Sequence, residues 1–206
     1  MVNQNIPEIV IARLPLYLRS LQQMSEENRI VTSSQELGKI LGISAAQIRK
    51  DLSLFGEFGK QGSGYNIHFL IEKIQQILNV DKVWSVAIVG AGDIGGALAS
   101  YPGFTDRGFR VTMLFDRDPL IIGTKIGNFI VKDSHHLSEI IHLEEIKVAM
   151  IAVPSSSAQM VADQLVKGGI RAILNYAPIS IKVPPSVQVQ YIDPVVHLQR
   201  MTFYLE

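Results

Sequence analysis

The chain has 206 residues, 47% of them hydrophobic, enough for one substantial core or two modest ones and too few for a large multidomain assembly. Nineteen Lys and Arg balance nineteen Asp and Glu, which removes any argument from bulk charge for nucleic acid or a membrane surface. Cys is absent, excluding disulfide scaffolds, Cys-ligated metals, thiol nucleophiles and thiol-based redox sensing.

The first twenty-one residues are broken by Pro7, Glu8, Arg13, Pro15 and Arg19, so they lack the apolar run of a signal peptide. No later stretch is apolar enough to span a bilayer, and the chain reads as cytoplasmic. Ile9, Leu14, Tyr17, Leu18 and Leu21 fall at helical spacing, and because Pro15 is tolerated only near a first turn, a helix is expected to start close to it. Two capping boxes follow. Ser33 with Glu36 opens one helix, and Ser44 with Gln47 opens the next, from Ala45 to about Leu54. Gly42 suits the left-handed residue that closes the first of the two. Helix, short turn and second helix make a helix-turn-helix, in which the second helix enters the DNA major groove.

Ile48 and Leu52 face the core of that second helix, while Gln47, Arg49 and Lys50 point outward, Gln being suited to adenine and Arg to guanine. Phe55 to Ile67 alternates glycines with polar and aromatic residues and reads as a β-hairpin wing that brings Lys60, the amides around Gly62, and Tyr65 to phosphates. With Ser44 at the helix start, these are the candidate DNA contacts. Residues 1–80 hold eight basic and seven acidic side chains, and residues 81–206 eleven and twelve, so the basic character is local to the helix and wing.

After a linking helix, Ile71 to Leu78, strands and helices alternate, as in a parallel sheet with helices on both faces. Val83 to Val89 is a buried strand ending in Gly90-Ala91-Gly92-Asp93-Ile94-Gly95, with a helix from Gly96. Gly90 allows the tight turn, Gly92 lets backbone approach a pyrophosphate, and Gly95 lets helix and strand pack closely. A second strand, Phe109 to Phe115, ends in Asp116, placed to hydrogen-bond an adenosine ribose and to favour NADH/NAD+ over the 2′-phosphorylated cofactor. Arg117 either stacks on adenine or accepts a phosphate.

Gly127 to Val131 is expected as a short strand, His135 to His142 as a helix, Ile146 to Val153 as a strand and Ala158 to Lys167 as a helix. Strands Ile170 to Asn175 and Val187 to Ile192 complete the sheet. Val153 and Pro154 stand at a strand's carboxyl end, where ligands bind, and Ser155 and Ser156 either flank the nicotinamide or cap a helix. His135, His136 and His142 read as a solvated helix face, with neither metal-ligand spacing nor catalytic design, so no metal and no catalytic residue is assigned.

The whole closely resembles the Rex family of redox-sensing transcriptional repressors. The likeness is carried by Arg13-Leu14-Pro15-Leu16-Tyr17, by Ala46 to Leu52 with Phe55 to Gly59 and Gly62 to Tyr65, and by the Gly90 to Gly95 turn. Phe115-Asp116 with Asp118-Pro119 and Ile173 to Pro178 extend it over nearly the whole chain. It implies a non-enzymatic repressor that binds an inverted-repeat operator as a homodimer and is released by NADH. It also implies three parts: a winged-helix domain over 1–80, a Rossmann domain over 81–192, and a C-terminal helix over 193–206, from Leu198 to Leu205, exchanged between subunits. A polar switch would map to Arg13, Tyr101 and the partner's Asp193; this chain departs from the family pattern at Pro194 and His197. The competing readings are a small NAD-dependent oxidoreductase with an accessory N-terminal domain, and a regulator whose second domain takes a CoA-like ligand.

Overall fold

The computed structural model describes residues 6–59 and 64–205. The chain divides into two compact units, Met1–Lys82 and Val83–Glu206.

In the first unit, helix α1 (Glu8–Glu26) buries Val10, Leu14, Tyr17, Leu18, Leu21 and Met24 on one face. It starts seven residues earlier than proline placement suggested, because Pro15 is exposed. The ring removes one N–H and leaves the carbonyl of Ile11, itself 40% exposed, to water rather than to a dry core. Strand β1 (Val31–Thr32) precedes α2 (Ser34–Leu41), which Ser33 caps by accepting from the Glu36 N–H at 3.2 Å. Gly42 ends it in the left-handed conformation, φ 66°. Helix α3 (Ala45–Ser53) is capped by Ser44, which accepts from the Gln47 N–H at 3.2 Å.

The wing differs from expectation. Its described strand, β2 (Tyr65–Asn66), pairs antiparallel with β1, Val31 opposite Asn66 and Thr32 opposite Tyr65, rather than within a hairpin. Strands of two residues are too short for alternation to reveal them. Ile67 belongs not to the wing but to α4 (Ile67–Ile77), which begins earlier than Ile71 because Asn66 accepts from the Phe69 N–H at 2.9 Å and caps it. Leu14, Tyr17, Leu21, Leu37, Ile48, Ile67, Leu70 and Ile74 form the fully buried core of this unit.

The second unit is a six-stranded sheet in the order β10-β9-β8-β3-β4-β7, parallel throughout. Its strands are β3 (Trp84–Val89), β4 (Phe109–Asp116), β7 (Lys132–Asp133), β8 (Val148–Ile151), β9 (Ala172–Asn175) and β10 (Gln188–Tyr191). Helices α5 (Asp93–Ala99), α6 (Leu137–Leu143) and α7 (Ser155–Gly168) cover it. Along β3, Val86 and Ile88 face a core with Leu98 of α5, whereas Ala87 and Val89 face one with Ile141 of α6 and Leu165 of α7. The chain leaves β3 for β4 on one side and later returns to β8 on the other, so the strand order reverses at β3 and opens a crevice at the carboxyl ends.

Three local expectations are corrected. Gly127 to Val131 is not one strand: β5 (Lys125–Ile126) and β6 (Phe129–Ile130) form a hairpin across Gly127-Asn128, with Gly127 at φ 57°, and β7 begins afterwards. Ser155 and Ser156 do not cap α7; the cap position is Pro154 and carries no side-chain bond. The last helix, α8 (Pro194–Thr202), starts before Leu198 because Asp193 accepts from the Val195 N–H at 2.9 Å and Pro194 presets the first helical φ. No helix among the described residues is long and apolar enough to cross a membrane.

Candidate functional site

The first candidate surface lies on α3. Arg49 and Lys50 are exposed and Gln47 is half-buried. Arg49 donates from Nη1 to Ser34 Oγ at 2.9 Å, tying α3 to the start of α2. An open cleft of about 540 Å³ runs past Ser34, Arg49, Ser53, Phe58 and Tyr65, so α3 and β2 share one concave face. Ser44 stands at the helix start, spent as its cap. Lys60 and Gly62 lie outside the described residues.

Beneath this surface sits one of the seven acidic side chains of residues 1–80. Asp51 is wholly buried. Its Oδ2 accepts from Arg13 Nε at 2.6 Å and from the Tyr17 hydroxyl at 2.6 Å, and its Oδ1 accepts from Arg13 Nη2 at 2.7 Å and Gln47 Nε2 at 2.7 Å. Burial pushes the Asp51 carboxyl up, but the bonds from Arg13, Tyr17 and Gln47 outweigh it and hold it below the usual carboxylate range. The same contact raises Arg13, while burial and then the Asp51 bond push the Tyr17 hydroxyl up. The signal was present in the sequence: Arg13 with Tyr17, and Gln47 with Asp51, are each four apart and so share a helix face.

The second candidate site is the crevice at the end of β3. Gly90 adopts φ 101°, and a Cβ there would lie 2.4 Å from the Ala152 carbonyl oxygen. At Gly95 a Cβ would lie 1.7 Å from the Gly90 carbonyl oxygen, so α5 packs against the turn only because no side chain intervenes. A Cβ on Gly92 meets nothing within 4 Å; that backbone faces open space, as a pyrophosphate cradle requires. Gly90, Gly92, Asp116, Arg117, Val153 and Pro154 line one crevice of about 530 Å³. Ala91 is buried, Asp93 opens α5, Ile94 is half-exposed and Gly95 is buried, so these four shape the turn rather than line the crevice.

Asp116 does more than end a strand. Its Oδ2 accepts from the Ala91 N–H at 2.6 Å, and its Oδ1 from the N–H groups of Arg117 at 2.7 Å and Asp118 at 2.9 Å. A carboxylate offers about four acceptor positions, so these three bonds leave one on Oδ2 unfilled. His135 also lines it, with Nδ1 held 2.7 Å from Asp133 Oδ1.

The three residues of the expected switch have local partners. Arg13 holds Asp51 in the first unit. In the second, Tyr101 is half-exposed and packs edge-on to Phe104 with centroids 5.1 Å apart, and Asp193 caps α8. That helix is exposed along its apolar face, Val195 at 55% and Met201 at 63%.

Comparison with known proteins places each unit. Residues 5–53 match the family model described as "Putative DNA-binding protein N-terminus", and residues 81–179 the "CoA binding domain". The redox-sensing transcriptional repressor Rex of Chloroflexus aurantiacus is 54% identical over 199 residues, 97% of this chain and 94% of that protein. Among solved structures, RSP in complex with β-NAD+ and operator DNA superposes with a TM-score of 0.93 at 36% identity, over 98% of this chain and 94% of that one. RSP in complex with β-NADH superposes with a TM-score of 0.89 at 34% identity, over 98% and 95%.

Proposed function

The chain belongs to the Rex family of redox-sensing transcriptional repressors, and from this we propose that it binds an inverted-repeat operator as a homodimer and leaves it when the crevice above Gly90 takes up NADH. One observation carries the reading: a single chain holds both a capped helix presenting Arg49 and Lys50 beside a wing strand, and a glycine turn built for a pyrophosphate. The relative RSP, crystallised with operator DNA and NAD+ and separately with NADH, supports the same pair of ligands.

Each residue has a role of stated chemistry. Arg49 and Lys50 meet bases and phosphates from α3, Gln47 meets a base edge, and Tyr65, Lys60 and the Gly62 amide meet the flanking backbone. Gly92 admits the pyrophosphate at the start of α5, and the open position on Asp116 accepts a ribose hydroxyl while its charge disfavours a 2′-phosphate. Val153 and Pro154 offer the nicotinamide an apolar wall, which suits the uncharged reduced ring better than the cationic oxidised one. The cofactor, when bound, supplies a redox state to be sensed.

The crevice does not support the oxidoreductase reading. His135 follows β7 and Val153 follows β8, with β3 and β4 between them. At about 4.8 Å per strand the ends of β7 and β8 stand roughly 14 Å apart, a separation that favours sensing over turnover. The protein acts as a sensor without turnover, in the cytoplasm with its DNA. The exposed face of α8 is the dimerisation surface, and two α3 helices spaced about 34–36 Å apart read successive major grooves. Arg13, Tyr101 and the partner subunit's Asp193 link cofactor state to that spacing.

Fluorescence anisotropy of an inverted-repeat duplex tests the DNA-binding part. Wild-type protein binds and Arg49→Ala binds about tenfold or more weakly; equal binding by both removes α3 as the reading element.

A further inference from the structure

The acid at the centre of the DNA-reading element accepts four hydrogen bonds, all beneath the surface that faces DNA. Asp51 lies on α3, one turn after Gln47, and is wholly buried, whereas Gln47 reaches the surface. An ionised carboxylate only accepts hydrogen bonds, so it meets the Gln47 amide from its NH2 side, as the 2.7 Å contact from Nε2 to Oδ1 shows. The other end of the amide, Oε1, is thereby turned away from Asp51. Asp51 itself cannot swing: Arg13 grips both of its oxygens and Tyr17 a third acceptor position, from α1. A chain of contacts thus runs from α1 through a buried carboxylate to the orientation of one amide at the start of α3.

Resting on the reading of α3 as the helix that enters the major groove, we propose that Asp51 is a positioning residue for base recognition. It fixes Gln47 with its oxygen facing the groove, so that Gln47 selects a base carrying an exocyclic amine, N6 of adenine or N4 of cytosine. In the major groove those amines are the donors an oxygen can read, and guanine and thymine present acceptors at the same edge. Free rotation of the amide would let Gln47 present either end and would erase the choice.

Selection from a pool of duplexes randomised across two half-sites, using the full chain, tests this. Wild type enriches adenine or cytosine at one position in each half-site. Gln47→Met, which removes the amide and leaves the buried pair alone, loses about tenfold of the preference at that position only. Asp51→Asn loses the same preference at the same position, and the double variant loses no more than either single one. Should Asp51→Asn not fold, Gln47→Glu serves in its place: a carboxylate presents an oxygen whichever way it turns, so the preference for an amine-bearing base persists in it without the hold from Asp51. A purely structural Asp51 would weaken binding to all sequences alike, and that result, with base preference intact in Asp51→Asn, overturns the proposal, as does a Gln47→Glu chain that still folds and binds but no longer favours adenine or cytosine at that position. So does an unchanged preference in Gln47→Met. A wild-type chain that enriches no sequence overturns the recognition-helix reading itself, and this inference with it.

Discussion

The backbone N–H of Ala91 donates to Oδ2 of Asp116 at 2.6 Å, so the acid ending β4 and the second residue of the glycine turn are one piece of structure. On the proposed reading, the group that accepts the ribose and the clasp that holds the turn in shape are the same side chain. Replacing Asp116 by Ala removes both, and a charge-assisted hydrogen bond of about 2 kcal/mol corresponds to roughly thirtyfold weaker NADH binding. Titration of NADH fluorescence measures it, and the NADPH-to-NADH affinity ratio rises in the same variant as the repelling charge goes. Unchanged NADH affinity would contradict the role given to Asp116.

Gly92 and Gly95 stand three residues apart and predict opposite phenotypes. Gly95→Ala places a methyl 1.7 Å from the Gly90 carbonyl oxygen, so strand and helix must separate, costing about 3 kcal/mol or more. Gly92→Ala meets nothing within 4 Å and sits at φ −70°, where alanine is at ease, yet it fills the space the phosphates need. Thermal unfolding falls in the first and not in the second, while NADH binding is lost in both. A stable Gly95→Ala, or a Gly92→Ala with full NADH affinity, would refute the geometry.

Asp51 makes the first unit sensitive to acid. Its pKa in the folded chain lies below the ordinary 3.8, because Arg13, Tyr17 and Gln47 bind the ionised form. The stabilisation is therefore complete above that ordinary value and is lost as pH falls through the folded one. Breaking a buried pair by removing one partner costs about 3 kcal/mol, so Asp51→Asn is less stable by that amount at neutral pH. Glu36 is also held low, by its bond from Arg29 and then that from Thr32, but it is so in both proteins and cancels in the difference. Urea unfolding across the acid range shows the gap between wild type and variant closing below the ordinary value; a gap independent of pH would show that the carboxylate charge contributes nothing.

Val195, Val196, Leu198 and Met201 leave α8 with an apolar face more than half exposed. On the proposed reading, this face is the surface that a second subunit covers. Leu198→Asp is expected to give a monomer in sedimentation velocity and to weaken operator binding, because one subunit cannot span two half-sites. A dimer that survives both Leu198→Asp and Met201→Asp would move the interface elsewhere.

Local chemistry made the helix-turn-helix legible: Ser33, Ser44 and Gly42 signal their roles through bonds to residues three or four away. The Gly90 to Gly95 turn was legible for the same reason. Pairing at long range was not. Val31 and Thr32 find Asn66 and Tyr65 across more than thirty residues with only two residues of pattern each. The burial of Asp51 was not legible because its main partners, Arg13 and Tyr17, are 38 and 34 residues away. Gly127-Asn128 carries a hairpin signal that the apolar run after it concealed, and the clasp between Asp116 and Ala91 uses a backbone N–H, which no residue type advertises.

The central claim is that one chain exchanges operator DNA for NADH. Anisotropy of a labelled inverted-repeat duplex, titrated in parallel with NADH, NAD+ and NADPH, tests it most directly. NADH should release the duplex at concentrations where NAD+ and NADPH do not, and saturating duplex should weaken NADH binding by the same factor, as linkage requires. A duplex that stays bound at saturating NADH, or that NADPH releases as readily, would contradict the account.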